Sequence, residues 1–155
     1  MNPEFMHEAI RLAADSMRAN QGGPFGAVVV RDGEIVGRGS NQVLAQNDPT
    51  AHAEIVAIRD ACRTLRTFRL DECEIYTSCE PCPMCLAAIY WARVKKGYYG
   101  ATRQDAAAIG FDDDHIYSEI AQPPGERLII LEPCLREKAI EAFEEWKNKP
   151  DKIEY

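Results

Sequence analysis

The run Glu74-Ile75-Tyr76-Thr77-Ser78-Cys79-Glu80-Pro81-Cys82-Pro83-Met84-Cys85 decides the fold, because a strand-like segment passes within a few residues into the start of a helix carrying two thiols. Residues 74–78 read as a strand, and the spacing predicts a helix from Cys82 to Trp91. Cys82 and Cys85, three positions apart, share one face of that helix at its positive end, where thiolates are favoured. Thirty residues upstream, Asn47-Asp48-Pro49-Thr50-Ala51-His52-Ala53-Glu54 adds an imidazole and, two positions on, a carboxylate. Asp48-Pro49 predicts the opening of a second helix there, with Ile55, Ala57, Ile58 and Ala61 as its apolar positions.

His52, Cys82 and Cys85 make three soft ligands and leave a fourth position open, which is the donor set of a catalytic zinc. A zinc in such a site lowers the pKa of a water from about 15.7 to about 7. Glu54 is then free to carry protons. A structural zinc is the rival reading, since Cys79 stands close enough in sequence to close a Cys3His shell. His52 and Glu54 would diverge by about 200° in mid-helix. At a helix start they can converge, and there Ala53 and Cys82 also offer N–H groups with no intrahelical partner.

The remainder of the chain alternates. Asn2-Pro3 caps a helix over about residues 3–19, with Phe5, Ala9, Leu12, Ala13 and Ser16 as its inward stripe. Asp32-Gly33 between Ala27–Val30 and Ile35–Gly39 is a hairpin signal. Further strands are expected at 97–100 and 128–131, and helices near 103–109 and 133–147. Strands alternating with helices imply an α/β sheet with helices on its faces.

With 155 residues and 46% apolar content, the chain is long enough for one domain over 1–155 with a single core. Six cysteines without a readable signal peptide suit a reducing cytoplasm better than a disulfide framework. No apolar run approaches the roughly twenty residues that cross a bilayer. The formal net charge of -7 disfavours a nucleic-acid partner, which usually meets a basic face. The basic clusters at 63–69 and 93–96 are short enough to be solvated helix ends.

The joined H-x-E and P-C-x-x-C pattern is the known signature of zinc nucleobase deaminases. On these segments, on Gly22-Gly23-Pro24-Phe25-Gly26-Ala27-Val28, and on Ala88-Ile89-Tyr90-Trp91-Ala92-Arg93, the chain resembles the cytidine and deoxycytidylate deaminase superfamily. Within it, Gly110-Phe111-Asp112-Asp113 and the terminal Ile153-Glu154-Tyr155 are similar to the small bacterial guanine deaminases. The resemblance implies a three-layer sandwich with a central mixed five-stranded sheet. It implies one zinc on His52, Cys82 and Cys85, Glu54 as proton carrier, and a purine pocket of Phe25, Asn41, Ala53, Trp91, Asp113 and Tyr155. It also implies a homodimer, in some relatives with exchanged C-terminal segments; the tail at 148–155, polar and proline-containing yet ending in the aromatic hydroxyl of Tyr155, is expected to close the active site. The reaction implied is purine catabolism by hydrolysis of guanine to xanthine and ammonia. Guanosine, ammeline and pterins share the amidine edge and stay open as substrates, as does adenosine in tRNA. A binding protein with a structural zinc is the non-enzymatic alternative.

Overall fold

The computed structural model describes residues 1–154; Tyr155 lies outside the described residues. The chain divides into two compact units, one over Met1–Tyr117 and one from Ser118 onward.

The first unit is built on a four-stranded sheet. Its strands are β1 (Gly26–Arg31), β2 (Glu34–Ser40), β3 (Cys73–Cys79) and β4 (Lys96–Ala101), in the order β2-β1-β3-β4. β1 runs antiparallel to both neighbours and β4 parallel to β3, so the sheet is mixed as expected. Asp32 and Gly33 take left-handed φ of 52° and 80°, the geometry of a two-residue hairpin turn.

Alternation along β1 sorts the core onto two faces. Val28 and Val30, with Tyr76, pack against Phe5, Met6 and Leu12 of helix α1 (Pro3–Arg18). Ala27 and Val29, with Ile75, pack against α3 (Ala53–Leu65) and Ile89 of α4 (Pro83–Trp91). Each fully buried Val, Ile or Tyr contributes about 1.5–3 kcal/mol. Helices on both faces make the expected three-layer sandwich.

The seam between α3 and β2 sets the position of the future site. Ala53, Ala57 and Ala61 recur every fourth residue, on one face of the helix. They lie directly on Gly37 and Gly39. A Cβ on Gly39 would stand 2.1 Å from the carbonyl oxygen of Ala53, so helix backbone rests on strand backbone.

Two expectations are corrected. The sheet has four strands among the described residues, not five, because residues 128–131 form no strand. Leu128, Ile129, Ile130 and Leu131 are 60–84% exposed and lack a strand to pair with. The second helix starts at Ala53 and not at Pro49. The Asp48 carboxylate accepts from the Thr50 N–H at 2.8 Å, and the Asp48 carbonyl from the Ala51 N–H, so residues 48–51 fold as a turn. A short α2 (Val43–Gln46) precedes that turn, which periodicity over four residues does not reveal.

After β4 come α5 (Arg103–Ala108) and α6 (Asp113–Ala121), the latter not expected from the sequence. The segment from Ser118 onward holds α7 (Arg136–Asn148), close to the predicted 133–147.

Candidate metal centre

His52 is the N-cap of α3 and Cys82 the N-cap of α4, both in extended backbone conformation. Pro83 holds the first helical position of α4, where its fixed φ suits the turn and its missing N–H costs nothing. Neither cap residue bonds its own helix through its side chain. Imidazole and thiol are instead directed at one another. The Sγ atoms of Cys82 and Cys85 each lie 3.6 Å from Nδ1 of His52, and the three ligand atoms lie within 4.8 Å of one another. A tetrahedral zinc bonded at about 2.3 Å to sulfur and about 2.0 Å to nitrogen holds such N and S atoms about 3.6 Å apart. Donor types and spacing therefore both fit one zinc ion.

Cys79 is not part of this group. Its thiol donates to the Thr102 carbonyl oxygen at 3.5 Å, and burial pushes it up to about 11. The four-ligand structural shell is thus not assembled among the described residues.

The apparent conflict between His52 and Glu54 disappears because His52 lies outside the helix. Glu54 is the second helical residue of α3 and is 7% exposed. Burial pushes its carboxyl up to about 7. The Cys82 thiol drops to about 4, chiefly because Cys85 donates to it, with His52 adding a second bond. Cys85 rises in turn, as it keeps the proton the pair shares.

A cavity of about 50 Å³ opens beside these groups, room for water. His52, Glu54 and Cys82 form part of its wall, and so do Phe25, Asn41 and Asp113, three of the residues that the resemblance assigns to a purine pocket. Burial raises the Asp113 carboxyl above its ordinary range. Ala53 is buried at the first position of α3, where its N–H has no place in the helical ladder. Trp91 is not in the wall. It ends α4, nine residues beyond Cys82, and is 65% exposed. Tyr155 lies outside the described residues.

The wall also holds residues that the sequence reading did not single out. Phe111 meets Phe25 edge-on at 4.7 Å between centroids. Ser78 accepts from the Gly26 N–H at 2.9 Å, and Glu80 accepts from the Arg103 N–H at 3.1 Å. Only Phe111 left a signal, as the aromatic following Gly110, whose φ is 92°.

Residues 1–101 match the family described as the cytidine and deoxycytidylate deaminase zinc-binding region. The chain belongs to that family. Guanine deaminase of Bacillus subtilis is 51% identical to this family member over 156 residues, covering all of both chains. A crystal structure of that species' guanine deaminase superposes with a TM-score of 0.95, over 100% of this chain and 99% of the other. The tRNA-specific adenosine deaminase of Agrobacterium fabrum is 46% identical over 86 residues, 56% of this deaminase-family chain and 57% of its own length. A solved neighbour in complex with 8-azaguanine has 35% identity and a TM-score of 0.68, covering 70% of this chain and 63% of that one.

Proposed function

We propose that this chain hydrolyses guanine to xanthine and ammonia, with one zinc on His52, Cys82 and Cys85. The observation that carries the reading is Glu54, a buried carboxyl that is not one of the three clustered ligands and lies in the cavity wall shared with His52 and Cys82. A structural zinc has no use for such a group. Identity of 51% over the full length to a guanine deaminase, against 34% over 97% of the chain to the tRNA-specific adenosine deaminase of Haemophilus influenzae, supports guanine over adenosine in tRNA. The net charge of -7 points the same way.

When bound, zinc makes water acidic enough to yield a proton near neutral pH. A Glu54 carboxylate oxygen takes that proton and delivers it to purine N3 while the water oxygen bonds to C2. Glu54 then takes the second proton from that oxygen and gives it to the exocyclic amine. The C2–N bond breaks, ammonia leaves, and xanthine keeps the N3 proton. A group that must accept and donate works best near the operating pH, and burial moves the Glu54 carboxyl in that direction. Phe25 and Phe111 pack against the flat ring, Asp113 accepts from a ring N–H, and the Ala53 N–H faces developing negative charge.

The functional unit in this reading is the whole 1–155 domain as a homodimer, in a reducing, cytoplasmic setting that suits six free cysteines. β4 is a sheet edge, and a groove of about 400 Å³ lined by Ile75, Leu86, Ile89 and Tyr98 lies against it. The exposed apolar run Leu128–Leu131 of a second copy is of a kind to cover that groove, and its tail at 148–155 would then close the pocket. Trp91, on the same α4 as Leu86 and Ile89, would then be covered. No described helix is long and apolar enough to cross a membrane.

The test is ammonia release by the zinc-loaded protein from guanine, guanosine, ammeline, a pterin and a tRNA anticodon arm, with mass measured in parallel by light scattering. Guanine turned over best by a dimer is the expected result. Inosine formed in the tRNA with guanine untouched would reverse the assignment.

A further inference from the structure

Asn41 is 4% exposed and lines the cavity, and its side chain is held by a set of contacts that leaves it one chemical option. Its Oδ1 accepts two backbone N–H groups, from Gly23 at 3.3 Å and Val43 at 3.2 Å. Both partners are donors, so only the amide oxygen can face them. The Nδ2 group has no acceptor among the described residues. No side-chain nitrogen among the described residues is both fully buried and unpaired, so Nδ2 opens onto the cavity, where water or a ligand can accept from it.

The clamp reaches back into α1. The Ser16 hydroxyl, 3% exposed, donates to the Asn41 carbonyl oxygen at 2.7 Å, across 25 residues of sequence. Gly22 closes the other side: a Cβ there would stand 2.0 Å from Oδ1 and 2.6 Å from the same carbonyl oxygen. The Asn41 N–H in turn donates to the Phe25 carbonyl at 2.9 Å, which ties the backbones of the two pocket residues together. Nothing in the fold of α1 requires a hydroxyl at position 16, whose helical neighbours Ala9 and Ala13 on the buried stripe are alanine.

We propose that Ser16 is a positioning residue for substrate selection: with Gly22 it fixes Asn41 so that only Nδ2–H faces the cavity, and the site therefore selects heterocycles with a hydrogen-bond acceptor at that edge. This rests on the purine reading of the cavity. On guanine the ring nitrogen N7 and the carbonyl oxygen O6 are the acceptors away from the reacting amidine, so 7-deazaguanine and 2-aminopurine each delete one of them.

Wild type, Ser16→Ala and Asn41→Asp are compared on the three compounds, with zinc content and melting temperature measured for each. Asn41→Asp keeps an oxygen for Gly23 and Val43 but turns the donor into an acceptor, and should lose guanine turnover while keeping its zinc. Wild type should discriminate against one of the two analogues by about a hundredfold in kcat/KM. In Ser16→Ala that ratio should shrink by about tenfold, through KM more than kcat, since the intrinsic reactivities of the compounds cancel between enzymes. An unchanged ratio in Ser16→Ala, no discrimination by wild type against either analogue, or full turnover by Asn41→Asp would each overturn the proposal. Wild type that ignores all three purines while deaminating another compound would instead defeat the guanine reading.

Discussion

His52 and Cys82 occupy the same place on two different helices: each is the N-cap, and their ligand atoms meet at 3.6 Å. The site is thus a meeting of two helix starts, with Cys85 reaching in from the first turn of the second. Zinc should follow that geometry. Metal analysis of Cys85→Ala is expected to show loss of the ion, and Cys79→Ala to retain one per chain. Retention in the first and loss in the second would shift the ligand set.

Glu54→Gln preserves shape and removes the proton carrier. Ammonia release should fall by about a hundredfold to ten-thousandfold with zinc content unchanged. Because the native carboxyl is buried and raised to about 7, the amide should also leave the melting temperature equal or higher. Turnover within a few-fold of wild type would remove Glu54 from the chemistry.

Gly39→Ala tests the seam that places α3. Its new methyl would collide with helix backbone, which cannot swing aside as a side chain does. Denaturant unfolding should show a loss of about 1–3 kcal/mol. Zinc should bind more weakly too, since His52 begins the displaced helix. Gly125→Ala, with open space around it, should be neutral; equal stability of both variants would contradict the close packing.

Asp105 gives a pH-dependent prediction. It completes a capping box at the start of α5, accepting from the Thr102 N–H at 2.8 Å and from its hydroxyl at 2.7 Å, and these bonds hold its carboxyl below the ordinary range. A group whose folded pKa is depressed stabilises above its unfolded pKa, about 3.9 for Asp, and loses that contribution as pH falls through the folded value. Wild type should therefore melt above Asp105→Ala at pH 7, with the gap closing as the pH falls below the unfolded pKa of about 3.9. A gap that widens in acid would show the sign to be wrong.

The ligands were legible because both motifs are local: Cys82 and Cys85 lie within one helical turn, and the His52 and Glu54 spacing makes sense only at a helix start. The cavity wall was half legible. Phe25 and Asp113 sit in recognisable short segments, whereas the bond from Ser16 to Asn41 joins residues 25 apart and leaves no periodic trace. Residues 128–131 show the opposite failure. Leu-Ile-Ile-Leu has the composition of a buried strand, but a strand exists only beside another, and composition does not supply the neighbour. The start of α3 was misplaced because Asp48-Pro49 opens a turn as readily as a helix.

Seating the metal ligands at helix starts leaves each helix asymmetric in what it tolerates. The first turn of α4 is pinned by Pro83 and by the sulfurs, while its last turn presents Tyr90 and Trp91 outward, nearly two and a half turns from Cys82 at about 3.6 residues per turn. The side chains at those two exposed positions lie far from the ligand atoms. A protein engineer seeking a new assembly from this scaffold should diversify the exposed Tyr90 and Trp91 at the outer end of α4, and leave the origins of α3 and α4 alone.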